Sequence, residues 1–187
     1  VPGVVVSPHA AGRQGEMFIR MRRTPRFGRR GTLQDAADCD IVCVAVPTQH
    51  IATVVTRVVE LARADVPVFD VGSVKAKVLQ AFASVPARFV PCHPIAGSER
   101  HGPLAARADL FADQPVVLTP TASTDPSALA AVEAFWRKLG ARVSHQDADA
   151  HDEDLALTSH LPHLIAFVLM ELYEEANGAL TDRVGGS

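Results

Sequence analysis

The run Ile41-Val42-Cys43-Val44-Ala45-Val46 is continuously apolar, entered from Asp40 and closed by Pro47. A strand with one wet face alternates apolar and polar residues; one with no alternation is buried on both faces, as in a parallel sheet covered by helices. The following sequence keeps to that plan. Pro47-Thr48-Gln49 reads as a tip loop, and Ile51 to Ala64 places Val54, Val55, Val58 and Leu61 on one helical face. Val66 to Val71 reads as the next strand, and Gly72-Ser73-Val74-Lys75 opens a helix reaching about Ala83, with Ser73 as its N-cap. A short strand at Arg88-Phe89-Val90 comes next, then a strand at Val116 to Thr119. A helix from Pro126 to Leu139, with Ala131, Phe135 and Leu139 sharing a face, and a strand at Ala141 to Ser144 complete the series. Strands and helices alternating at this spacing predict an α/β fold with a Rossmann-like, doubly wound, mostly parallel sheet.

In such a sheet ligands bind beyond the carboxyl ends of the strands. Three successive loops, at Pro47, Ser73 and His93, should therefore emerge along one edge. His93 lies in Pro91-Cys92-His93-Pro94-Ile95-Ala96-Gly97-Ser98-Glu99, where a strand ends and a long loop begins. A loop histidine taken alone is as readily a solvated surface residue; its topological grouping with Ser73 favours chemistry. Near the N-terminus, Val4-Val5-Val6, a small-residue turn and a helical pattern from Glu16 to Arg23 supply the context of a dinucleotide fingerprint. The match is Ala10, Gly12 and Gly15, with alanine in the first glycine slot. Gly12 lets the backbone approach a pyrophosphate, and the amides beyond Gly15 can bind it. An ordinary glycine turn explains the same residues. The strand expected between Thr24 and Leu33 is abbreviated or missing, with no acidic ribose ligand. Arginines there suit a 2′-phosphate, so NADP stays open beside NAD.

The chain has 187 residues, 48% apolar and 21% charged, with a net charge of -3. That is enough for one sizeable core and the start of a second unit, in an ordinary soluble globular protein rather than a nucleic-acid binder. The arginines from Arg20 to Arg30 form a solvated face or a local phosphate site. Cys39, Cys43 and Cys92 form no CxxC pair, which points to a reducing, cytoplasmic setting. No uninterrupted apolar run is long enough to cross a bilayer, and no signal peptide is seen.

At Asp147 the character changes, dividing the chain into 1–146 and 147–187. Asp147 to Thr158 is acidic and helical, and Ser159-His160-Leu161-Pro162-His163 leads into an apolar helix, Leu164 to Tyr173. Pro162 should kink one helix or restart another. Ser159, His160 and His163 lie about one turn apart and can face a common cavity. No acidic or cysteine partner has ligand spacing nearby, so hydrogen bonding is preferred to a metal, and His160 reads as a packed residue. An apolar helix without packing partners would self-associate or bind another chain.

Taken together, Asp40 to Pro47, Asp70-Val71-Gly72-Ser73-Val74-Lys75, His93 to Glu99, His151-Asp152 and Ser159 to His163 resemble the prephenate dehydrogenase (arogenate dehydrogenase) family of tyrosine biosynthesis. The resemblance spans roughly Gly31 to Met170, and the motifs are specific as a set. It implies oxidative decarboxylation of prephenate or arogenate, with hydride passing to NAD or NADP. His93 then takes or polarises the ring hydroxyl proton, and Ser73 orients that histidine beside the nicotinamide. Glu99 stands near the substrate entrance, while Ser159 and His163 hold the substrate. Gly12, Gly15, Val46, Pro47, Thr48 and Ser73 form the cofactor-binding set. The family's helical dimerisation region is nearly absent here, as in a truncated chain. Arg183 resembles the family's carboxylate-binding arginine but comes early, and reads more readily as a disordered tail residue. No metal, nucleic acid or membrane partner is implied, and a homodimer is possible. The rivals are another NAD(P)-dependent Rossmann dehydrogenase and a non-catalytic homologue acting as a binding module.

Overall fold

A computed structural model describes residues 3–7, 17–21, 29–96, 107 and 109–184. Its centre is the apolar run of the sequence: Ile41–Val44 forms β4, with Val42 and Val44 fully buried. The remaining strands, in chain order, are β1 Gly3–Ser7, β2 Met17–Met21, β3 Arg29–Gly31, β5 Val68–Asp70, β6 Phe89–Val90, β7 Cys92–Pro94, β8 Pro115–Leu118 and β9 Arg142–His145. One sheet has the order β3-β2-β1-β4-β5-β6, in which β1, β4, β5 and β6 run parallel. The order is that of a doubly wound fold. The two edge strands, however, pair antiparallel, β2 with β1 and β3 with β2.

That hairpin corrects the helix expected from Glu16 to Arg23. Met17-Phe18-Ile19-Arg20-Met21 mixes aromatic and β-branched residues and finds a strand partner on each side, and pairing overrides a helical pattern. The expected second strand is present only as three residues, Arg29–Gly31.

A second correction concerns His93. The chain passes β6 and bends at Pro91, which has no amide to give a ladder, then re-enters strand as β7. His93 is thus the middle of a strand, opposite Val117 of β8, in a separate sheet of order β7-β8-β9. β7 runs antiparallel to β8, and β8 parallel to β9.

Helices cover the sheets. In α1 (Ile51–Leu61), Ile51, Ala52, Val54, Val55 and Val58 are buried, and all but Ala52 join Val42, Val44 and Val68 in one core cluster. In α3 (Pro126–Lys138) the buried face is Ala128, Val132 and Trp136 rather than Ala131, Phe135 and Leu139. Ala131 and Leu139 are exposed, because Trp136 carries the largest apolar surface and sets the helix's rotation. Its ring meets Phe69, Phe111 and Phe135 at centroid distances of 5.4, 5.1 and 5.3 Å. Asp125 caps α3, accepting the Ser127 and Ala128 amides at 2.7 and 3.2 Å.

The chain divides into two compact units, Val1–Asp149 and Ala150–Ser187. The second is helical: the end of α4 (Ala148–Leu155), a π-turn at Ala156–His160, then α5 (Leu161–Val184). Pro162 therefore neither stops the helix nor starts a separate one; helix continues through it, with a π-turn immediately before it in which the Leu161 amide donates to the Ala156 carbonyl. Arg183 lies on this helix, not in a tail.

Candidate active site

Asp70 ends the all-apolar strand β5, and its side chain has 0% exposure. A carboxylate is tolerated in so dry a place only if charge and hydrogen bonds compensate the lost water. Here both are supplied. Oδ2 accepts the Gly72 amide at 2.9 Å and pairs with the equally buried Lys75 ammonium; Oδ1 accepts the Cys92 amide at 3.1 Å. The Lys75 ammonium also donates to the Cys92 carbonyl at 2.8 Å. One ion pair thus fastens the loop after β5 to the start of β7.

The fastened positions are the neighbours of the two residues singled out in the sequence. Gly72 precedes Ser73, and Cys92 precedes His93. Ser73 and His93 are each one residue from an amide held by the same carboxylate, at the carboxyl ends of adjacent parallel strands. Ser73 is exposed and His93 half-buried. Ser73 does not cap a helix: α2 (Ala76–Gln80) begins after Lys75, whose side chain is drawn inward to Asp70, and ends short of the expected Ala83. Gly72 is fitted to the same cluster. A Cβ there would lie 2.8 Å from Ile51 Cδ1 and 3.0 Å from Asp70 Oδ2.

The third loop on this edge follows β4. Val46 and Thr48 are half-buried and Pro47 exposed, and Thr48–His50 forms a 3-10 turn that runs into α1. In the strand order, β1 and β4 flank the switch point whose crevice accepts a dinucleotide. Val46, Pro47 and Thr48 lie on the β4 side of it, so they suit contact with a dinucleotide. Gly12, Gly15 and Glu99 lie outside the described residues.

Cys39 and Cys92 are buried and Cys43 half-buried, none of them is in a disulfide, and they are not placed for nucleophilic work. Burial first, then the Asp70 carboxylate, push the Cys92 thiol well above its ordinary range, against the opposing Lys75 charge. Cys43 is raised too, by desolvation and again by Asp70.

In the second unit, His163 Nδ1 donates to the Ser159 carbonyl at 2.9 Å. A carbonyl only accepts, so the proton of a neutral His163 ring sits on Nδ1 and leaves Nε2 as an acceptor. Ser159 is half-buried, whereas His160 is exposed rather than packed. His151 is buried, its Nδ1 2.8 Å from Asp152 Oδ1.

Asp70 and Lys75 are the residues that sequence reasoning missed. The signal was present: an aspartate closing an apolar strand, followed five residues later by a lysine, is a charge that needs a partner.

The parallel strands and the polar edge beyond their carboxyl ends define a Rossmann-like domain. The chain belongs to the prephenate dehydrogenase family: residues 21–145 match the family described as prephenate dehydrogenase, nucleotide-binding domain. It is 41% identical over 159 residues to a cyclohexadienyl dehydrogenase of Zymomonas mobilis, covering 82% of this chain and 54% of that protein. Against the prephenate dehydrogenase of Bacillus subtilis identity is 34% over 155 residues, covering 75% and 41%. The chain spans about half the length of the curated relatives it matches. Among solved structures, prephenate dehydrogenase from A. aeolicus in complex with hydroxyphenyl propionate and NAD+ superposes with a TM-score of 0.69 at 30% identity, covering 77% of this chain and 51% of that one. Synechocystis arogenate dehydrogenase gives 0.64 at 28%, covering 83% and 61%.

Proposed function

We propose that this chain provides the nicotinamide-binding unit and first substrate helices of a cytoplasmic dehydrogenase that oxidatively decarboxylates prephenate or arogenate. The observation that carries it is the single Asp70 carboxylate holding the amides beside both Ser73 and His93. Val46, Pro47, Thr48 and Ser73 would hold NAD, with the Gly12 and Gly15 turn completing the site. When bound, the nicotinamide accepts the hydride. As hydride leaves the hydroxyl-bearing ring carbon, His93 takes the hydroxyl proton. The bond to the ring carboxylate then breaks to release carbon dioxide, its electron pair aromatises the ring, and the proton returns to the phenolic oxygen. A hydroxyl at Ser73 fixes the imidazole tautomer for that exchange. Glu99, Ser159, His163 and Arg183 serve the substrate.

The test adds prephenate with NAD, then with NADP, and follows nicotinamide reduction by absorbance. Turnover that His93→Asn abolishes, in a chain still folded by circular dichroism, is the expected result. A folded wild-type chain that reduces neither cofactor contradicts the reading.

One observation favours a second property. Leu157, Leu164, Phe167, Leu169 and Met170 are all more than half exposed on the helix of the second unit. We infer that a second copy covers them, giving a homodimer.

A further inference from the structure

Neither Asp70 nor Lys75 exchanges a proton or touches the hydride in the chemistry above, yet among the described residues both side chains are taken wholly out of water. Burying an ion pair is seldom the cheapest way to stabilise a core, since apolar residues of similar volume do as well or better. Its geometry is what an apolar pair cannot supply. Each carboxylate oxygen addresses a different chain segment, Oδ2 the Gly72 amide and Oδ1 the Cys92 amide. The ammonium closes the ring by donating to the Cys92 carbonyl. The backbone of residue 92 is therefore gripped at both its donor and its acceptor, immediately before His93. Gly72 fits this grip, because a methyl group there would press on the same Oδ2.

We propose that Asp70 and Lys75 are positioning residues: their buried pair sets the placement of Ser73 against His93, and so the alignment of the imidazole for proton exchange. This rests on the reading of His93 and Ser73 as the catalytic pair. Misplacement by a fraction of an ångström to one ångström lowers turnover by about tenfold to a hundredfold, and lowers cofactor affinity far less, because Ser73 is only one of several residues proposed to hold NAD, beside Val46, Pro47 and Thr48.

The experiment uses the full chain labelled with 15N. Asp70→Asn/Lys75→Met removes both charges at once, so neither is left unpaired in the core. Gly72→Ala keeps the charges and displaces the carboxylate. Two readouts are taken for each: the His93 imidazole nitrogen resonances, which need no activity, and kcat for prephenate-dependent NAD reduction beside the NAD Kd. The expected result is a shifted His93 resonance pair in both variants, with kcat reduced about tenfold or more in the double variant and by a smaller factor in Gly72→Ala, at a Kd within about twofold. A folded double variant with wild-type His93 resonances and wild-type kcat overturns the proposal and leaves the pair a packing feature. Should the double variant not fold, Gly72→Ala decides by the same two readouts. A wild-type chain without turnover sinks the dehydrogenase reading but not this one, which the resonances still judge.

Discussion

The carboxyl edge of the sheet and the helix of the second unit solve opposite problems. At the edge, charged groups are buried and hydrogen bonds tie one chain segment to another: β5 to its loop, and both to β7. Along Leu157–Tyr173, large apolar side chains are exposed, and hydrogen bonds such as those from Thr158 Oγ1 to the Asp154 carbonyl at 2.7 Å and from His163 to the Ser159 carbonyl lie within the helix. The edge combines the local Asp70–Gly72 and Asp70–Lys75 contacts with the distant ones from both residues to Cys92, and so fixes geometry. The helix is satisfied locally as far as its backbone goes, while its apolar surface calls for something outside it. By length and composition alone the 27-residue helix Ala148–Glu174 could cross a membrane; Ser159, His160, Pro162 and His163 break its apolar run, which is why the sequence shows no such span.

The contrast can be broken most forcefully at Lys75. Lys75→Met alone strands a buried carboxylate and should cost about 3–5 kcal/mol in urea unfolding, whereas Asp70→Asn/Lys75→Met should recover most of that loss. Equal costs for single and double variants would show that the two groups are not a coupled pair. Trp136→Ala, which opens a cavity where three aromatic rings meet, should cost about 3–5 kcal/mol without moving the His93 resonances.

On the helix the expectation reverses. Leu164→Gln/Phe167→Gln should change unfolding free energy by no more than about 0.5 kcal/mol per site and abolish concentration-dependent sedimentation. A large loss of stability would mean that these residues are core after all.

The smallest effect is expected at Asp125. Hydrogen bonds from the Ser127 hydroxyl and from the Ala128 and Ser127 amides hold its carboxyl below the ordinary range. A depressed folded-state pKa contributes stability that is present above the unfolded carboxyl's pKa of about 3.9 and is lost as pH falls through the lower folded value. Wild-type and Asp125→Asn melting temperatures should therefore converge on acidification below about pH 4.

Much of this was legible in the sequence because burial leaves a pattern. Ile41 to Val46 announced the strand at the centre of the sheet, and Pro47 and Ser73 do lie in the loops that follow β4 and β5, whereas His93, read as a loop residue, lies within β7. Where the pattern failed, a distant partner had decided the outcome. Met17–Met21 became strand because β1 and β3 pair with it, and α3 turned to bury Trp136 rather than Leu139. The β7 strand continued past Pro91 because β8, more than 20 residues on, was there to receive it. Lys75 read as a helix-start residue and proved to be half of a buried pair whose other half lies five residues back. Periodicity reports how apolar a face is; it does not report which charges meet inside.

The most direct measurement is a titration of NAD into the 15N-labelled chain, with Ser73 amide and His93 imidazole signals followed together. The account predicts that both move along one saturation curve with a shared Kd, while signals of α3 stay fixed. Saturation of the Ser73 signal with the His93 ring unmoved, or no binding by a folded chain, would contradict it.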